Sequence, residues 1–310
     1  MTTTFELGAR LSDKSNAISR NRGIAPDRFL SMLCREQLLA AVGRVADEGA
    51  VALKGSALVL LDDRISDWVR PSKDLDLHLH LDRLDDLRDL LDRAAAEVAG
   101  VGIRLEFGAR KTLWRPDGEP GGEKVRVVAW LGRTRVNFEV DCWVGGERSP
   151  GMRLVERPSM LPGLPAVKML TYPLEAMAAD KLHAIVQFGS ANTRIKDYYD
   201  LLCLSRADLD MRLLSVCIQT TFANNCRPIP STPLTLPGLS REYALANQDA
   251  WIKLLVDAGR VDAAPAAFPY VVATVRAFAN QAFSPAPAQE ESRELEDWFG
   301  APAPRPMAYA

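Results

Sequence analysis

Between positions 73 and 82 apolar and polar side chains alternate without a break. Leu75, Leu77, Leu79 and Leu81 take one set of positions; Asp74, Asp76, His78, His80 and Asp82 take the other. A period of two marks a half-buried strand, and it throws Asp74 and Asp76 onto the same polar face. Upstream, Phe29, Leu33, Leu38, Leu39 and Val42 recur at helical spacing and predict a helix over 27–47. The apolar run 51–61 is interrupted by Lys54, Gly55 and Ser56, which predicts a strand, a turn and the start of a helix. Downstream, Leu84, Leu87, Leu90, Leu91 and Ala95 predict a helix over 82–99. After Gly102 the runs IRLEF, KTLWR, VRVVAWLG and TRVNFEVDCWV, separated by glycine and proline turns, predict a short antiparallel sheet.

The pattern changes after position 145. Five prolines (Pro150, Pro158, Pro162, Pro165 and Pro173) lie among glycines and predict an extended connector. Beyond it, 174–188, 194–206, 208–224, 240–258 and 263–283 have helical spacing, broken by the loop RPIPSTPLTLPG. The last residues, rich in proline and alanine around an acidic ESRELEDWF segment, predict a loosely held tail. The expected organisation is therefore a domain over 1–148 with an N-terminal helix, a connector over 149–173, a helical domain over 174–283 and a tail over 284–310. The fold class is α/β (α+β), a mixed β-sheet domain flanked by helices followed by a mainly α-helical domain.

Composition narrows the function classes. With 310 residues, 47% hydrophobic and 25% charged, the chain is long enough for two cores, and a net charge of −2 excludes a surface coated with base for bulk nucleic-acid binding. RNA contact would have to be local. Five cysteines (Cys34, Cys142, Cys203, Cys217 and Cys226) are scattered without metal-type pairing, which points to reduced thiols in the cytoplasm. The N-terminus has neither a basic segment nor an apolar core of the signal-peptide kind, and no run of apolar residues is long enough to span a membrane, so neither secretion nor membrane insertion is expected.

Two carboxylates crowded on one strand face ask for a cation, and the small-residue turn at Gly55-Ser56 suits phosphate groups. Together they suggest a nucleoside triphosphate and its magnesium. A third acid would complete a two-metal site, and the strand VNFEVDC offers Glu139 and Asp141 on one face; Asp141, nearer the strand end, is favoured. In the second half, Lys181 leaves a helix between Met177, Ala178, Ala184 and Ile185, an apolar neighbourhood in which an ammonium wants an anion. In RIKDYYDLLCL, Arg194 and Asp197 share a helical stripe with either Asp200 or Leu201. Asp197 and Asp200 are like charges three apart, which calls for compensation by Lys181, Arg194 or a metal.

The order Leu-Lys-Gly-Ser, then Arg70-x-Ser72-x-Asp74-Leu-Asp76-Leu, then Glu175 with Asp180-Lys181-Leu182, then Arg194-x-Lys196-Asp197-x-x-Asp200-Leu201 resembles the AbiEii/AbiGii nucleotidyltransferase toxins, including the MenT group, within the DNA polymerase β-like superfamily. The four motifs run over roughly 50–205. Two positions depart from the family pattern: Ser56 stands where a second glycine is usual, and Asp180 where glutamate is. The stretch DDRISDWVRPS between Ser56 and Asp74 is long for the superfamily and is expected as an insertion over the site.

The resemblance implies a mixed-sheet domain and a helical domain lining a cleft, and transfer of a nucleotide from an NTP to an acceptor, most of all the 3′ end of tRNA. It implies that Lys54, Gly55, Ser56 and Arg194 bind the nucleotide, that Asp74 and Asp76 hold Mg²⁺ (or Mn²⁺), that Lys181 contacts the triphosphate and that Asp197 completes the catalytic set. It also implies a cognate antitoxin; phosphorylation of Ser72 would place about two negative charges beside the metal ligands. From the residues alone, an RNA contact is expected over 101–142, where Arg104, Arg110, Lys111, Arg115, Lys124, Arg126, Arg133 and Arg135 accompany Trp114 and Trp130. Two other functions fit the same strand face: a phosphohydrolase using His78 and His80 as further metal ligands, or an inert nucleotide- or RNA-binding module.

Overall fold

The computed structural model describes residues 3–62, 64, 74–80, 84–115, 118–145, 148–231 and 235–283. They form two compact units, the first ending at Pro173 and the second beginning at Leu174. Ser72, most of the expected insertion and the expected tail lie outside the described residues.

The first unit is built on a mixed sheet whose strands are β1 (Val51–Lys54), β2 (Asp74–Leu79), β3 (Arg104–Trp114), β4 (Pro120–Leu131), β5 (Thr134–Val144), β6 (Arg153–Arg157) and β7 (Val167–Thr171), in the order β3-β4-β5-β2-β1-β7-β6. The period-two pattern acts as expected in β2. Leu75, Leu77 and Leu79 are fully buried and pair in register with Val140, Cys142 and Val144 of β5. Val125, Val127, Ala129 and Leu131 of β4 extend the same apolar face. Three helices cover it: α1 (Thr4–Asn21) on β4, α2 (Pro26–Val45) on β5 and β7, and α3 (Leu84–Ala99) on β3. Burying each of these leucine and valine side chains contributes roughly 1.5–3 kcal/mol.

Three elements differ from expectation. Helix α1 carries no apolar stripe; its buried positions are Gly8, Leu11, Ser12, Ser15 and Ser19. It approaches the sheet through small residues so closely that a Cβ on Gly8 would stand 2.4 Å from the Gly102 carbonyl oxygen. IRLEF and KTLWR form one strand, β3, whose register shifts between Phe107 and Arg110, a bulge at Gly108 where two strands were expected. Residues 149–173, expected as a connector, supply β6 and β7 to the sheet. All five prolines there fall before, between or after the two strands, where a missing N–H removes no ladder hydrogen bond.

The second unit is helical: α4 (Leu174–Phe188), α5 (Ile195–Leu204), α6 (Met211–Asn224), α7 (Arg241–Ala246), α8 (Gln248–Ala258) and α9 (Phe268–Phe283). Its core is aromatic, with Tyr198, Tyr199, Phe222, Trp251 and Phe268 all buried and Trp251 stacked on Phe268 at 5.1 Å between ring centres. The buried phenols are satisfied: Tyr198 donates to the Gly238 carbonyl and Tyr243 to that of Asn192. Glu175 in the first turn of α4 is buried and accepts the backbone N–H of Asp210, the residue that caps α6. Among the described residues no helix is long and apolar enough to cross a membrane.

Candidate active site

The face of the sheet opposite α1–α3 gathers the acids that the sequence singled out. β2 and β5 run parallel with Asp76 beside Asp141 and Asp74 beside Glu139. On the outer side of β5, Lys124 of β4 stands opposite Asp141 and Arg126 opposite Glu139; on the far side of β2, Lys54 of β1 stands opposite Asp76. Cross-strand neighbours share a face, so one row reads Lys54, Asp76, Asp141, Lys124, with Lys111 of β3 continuing it, and the next reads Asp74, Glu139, Arg126. Four carboxylates lie side by side, flanked by bases.

Gly55 joins this row to the turn. The chain leaves β1 through Gly55 in the left-handed region (φ 69°) and enters a short 3-10 helix, Gly55–Leu60. A Cβ at Gly55 would lie 2.3 Å from Oδ2 of Asp76, so only glycine lets the turn and that carboxylate sit together. Ser56 follows in the same turn. Lys54 places its ammonium 5.4 Å from the centre of the Trp143 ring.

The third acid has a partner of its own. Lys124 Nζ is 2.8 Å from Asp141 Oδ1 and 3.4 Å from Glu139 Oε2. Burial pushes the Asp141 carboxyl above the usual carboxylate range; Lys124 works against that shift, while Asp74 and Glu139 add to it. Burial opposes the charge on Lys124, but Asp141, Glu139 and Asp74 together raise its pKa. A second cation was not singled out in the sequence. Arg35, only 2% exposed on α2, has its guanidinium pushed down to about 10 by burial, with Asp74 favouring the charged form. Its visible signal is an arginine in the apolar stretch of that helix.

His78 does not join the acids as a ligand. His78 is buried, one ring nitrogen paired with the Tyr172 hydroxyl and the other 2.5 Å from the Gly145 carbonyl oxygen. Both nitrogens are therefore occupied by the fold, which takes away the phosphohydrolase's first added ligand. His183 lies in the second unit, edge-on to Phe222 of α6.

Among the described residues no group of three or more His, Cys, Asp or Glu side chains forms a ready-made metal cage. Hard carboxylate oxygens nevertheless suit Mg²⁺, which is characteristically held by one or two carboxylates together with substrate phosphates. Asp74 and Asp76 fit that role. Asp141 adjoins them but is paired with Lys124.

In the second unit, Lys181 is 6% exposed, and its ammonium lies 3.1 Å from Asp197 Oδ1 and 2.6 Å from Asp200 Oδ2. Arg194, half-exposed, places Nε 2.6 Å from Asp197 Oδ2. Both aspartates are fully buried; Lys181 from α4 lies against both, and Arg194 at the start of α5 lies against Asp197. Burial raises the Asp197 pKa, but Lys181 and Arg194 outweigh it and hold the carboxyl below its usual value. Asp200, the alternative to Leu201 on the stripe, is an equal partner in this cluster.

Of the basic residues over 101–142, several serve the sheet itself. Arg110 pairs with Glu123 at 2.7 Å, and Arg104 and Arg135 flank Trp130. Lys111, Arg115, Arg126 and Arg133 are exposed, as is Trp114 at 61%.

A mixed sheet carrying in-register acids beside a Gly-Ser turn, followed by a helical unit, is the fold of a nucleotidyltransferase. The MenT4 nucleotidyltransferase toxin of Mycobacterium tuberculosis H37Rv shares that fold, with a TM-score of 0.56 at 14% identity over 92% of this chain and 98% of its own. JHP933 of Helicobacter pylori is more distant, with a TM-score of 0.44 at 14% identity over 86% of this chain and 94% of its own. No curated protein sequence matches significantly. The model of the nucleotidyl transferase AbiEii toxin family, type IV toxin-antitoxin systems, matches residues 37–295, and the chain belongs to that family.

Proposed function

We propose that this toxin transfers a nucleoside monophosphate from an NTP to the 3′ end of an RNA, foremost tRNA, in the cytoplasm, with pyrophosphate released. The observation that carries this is the pairing of Asp76 with Asp141, and of Asp74 with Glu139, beside a turn that only glycine permits. The 3′ hydroxyl attacks the α-phosphorus in line with the departing pyrophosphate.

Asp74 and Asp76 hold a divalent ion, Mg²⁺ or Mn²⁺, which when bound neutralises charge developing on the phosphates. Lys54, Gly55 and Ser56 receive the triphosphate at the turn. Within the helical unit, Asp197 and Asp200 fix the position of Lys181, and Arg194 pairs with Asp197. The exposed Lys111, Arg115, Arg126 and Arg133 contact the RNA backbone, and Trp114 offers a ring for base stacking. As a type IV family member the toxin has an antitoxin counterpart. Phosphate on Ser72, two residues before Asp74, would add about two negative charges and repel the nucleotide.

The acceptor is tested with tRNA whose terminal cis-diol has been oxidised by periodate. Intact tRNA should take label from an α-labelled NTP, and oxidised tRNA should take none. Equal labelling of both would remove the 3′ end as acceptor, and label in protein alone would remove RNA.

A further inference from the structure

Lys124 is the cation paired with the third acid. Its strand neighbours are fixed: Asp141 directly opposite on β5, then Asp76 opposite Asp141 on β2. Its ammonium lies 2.8 Å from Asp141 and 3.4 Å from Glu139, so one cation serves two of the four carboxylates on this face. Lys124 is 28% exposed and Asp141 18%, which leaves the pair less screened by water and salt than an exposed one.

We propose that Lys124 is an internal counter-cation that competes with the divalent ion for Asp141. The protein then binds the ion weakly on its own and takes it up together with the triphosphate. This rests on the assignment of the acid row as the metal and nucleotide site. A fixed positive charge within contact of a carboxylate lowers that carboxylate's value to a second cation, and a divalent ion feels twice the repulsion of a monovalent one. The triphosphate brings several negative charges of its own, which offset Lys124 and supply further oxygen ligands. Metal alone and metal with nucleotide should therefore depend on Lys124 to different degrees.

Mn²⁺ binding to the full chain, measured by electron paramagnetic resonance with and without a non-hydrolysable NTP analogue, tests this. Lys124→Met should tighten binding of Mn²⁺ alone by about tenfold or more, a change of about 1.4 kcal/mol. Mn²⁺ binding in the presence of the analogue should change far less. Lys124→Gln, which keeps a polar side chain at the position, should move in the same direction and stands in should the methionine variant fail to fold. In an Asp141→Asn background, Lys124→Met should give no gain, because the competition runs through that carboxylate. Affinity for Mn²⁺ alone that stays within twofold of wild type, or falls, in a folded Lys124 variant overturns the proposal, as does an undiminished gain in the Asp141→Asn background. If wild type binds no Mn²⁺ even with the analogue, the assignment of the metal site itself fails, an outcome distinct from the other two.

Discussion

Asp76→Asn is expected to lower nucleotidyl transfer by roughly 10³-fold, the scale of losing a positioned electrostatic group in an active site. Asp76 occupies the middle of the row, between Lys54 and Asp141, with its carboxylate against Gly55. The amide keeps the shape and removes the charge. Stability should not fall with activity, because four carboxylates share this face and removing one charge relieves repulsion. The unfolding midpoint is therefore expected to stay within about 2 °C of wild type or to rise. Initial rates and thermal unfolding of the same preparation check both parts, and a large drop in midpoint would assign Asp76 to the fold instead.

Lys181→Met should act in the opposite way, costing about 3–5 kcal/mol of stability, because it takes an ammonium away from two buried aspartates at once. The pH dependence carries the sign. In the wild type, Asp197 is held below its ordinary value by Lys181 and Arg194. A depressed carboxyl contributes stability that is present above its unfolded pKa, near 3.8, and is lost as pH falls through the lower folded value. In the variant, burial without the lysine favours the neutral carboxyl, so stability should rise as the pH is lowered toward the carboxylate range. Chemical denaturation between pH 7 and pH 4, at the foot of which ordinary carboxylates titrate, shows the crossover. Combining Lys181→Met with Asp200→Asn should recover part of the lost stability, since the second change removes one of the two buried charges that faced the lysine. A single variant as stable as wild type at neutral pH would mean that the aspartates find another partner.

The two experiments separate roles that the sequence ran together. Alternation in β2 and β5 was legible because a strand's period is two and the apolar face is unambiguous; it put Asp74, Asp76, Glu139 and Asp141 on polar faces before any pairing was known. The partnership of the strands, which sets Asp76 beside Asp141, is long-range and left no local signal. Lys124 was visible only as one of many basic residues, because its importance lies in being opposite Asp141 across β4 and β5. The need for a cation near Asp197 and Asp200 was legible from like charges one helical turn apart, and Lys181 and Arg194 supply it together.

Other elements were hidden for physical reasons. Helix α1 buries glycine and serine where a sequence pattern seeks leucine, since close backbone approach takes the place of large side chains. Strands β6 and β7 are five residues each and set among prolines, so the turn signal of their flanks outweighed their own. His78 alternates with the acids, yet it turns to Tyr172 and Gly145, a choice made by residues far along the chain.

Incubation of the protein with Mg²⁺, total RNA and an NTP labelled at either the α or the γ phosphorus distinguishes nucleotidyl transfer from hydrolysis. A nucleotidyltransferase leaves α label in the RNA and γ label in pyrophosphate, and both signals are expected to be lost in Asp76→Asn. Label released as inorganic phosphate with none in RNA, or γ label in the polymer, would contradict nucleotidyl transfer.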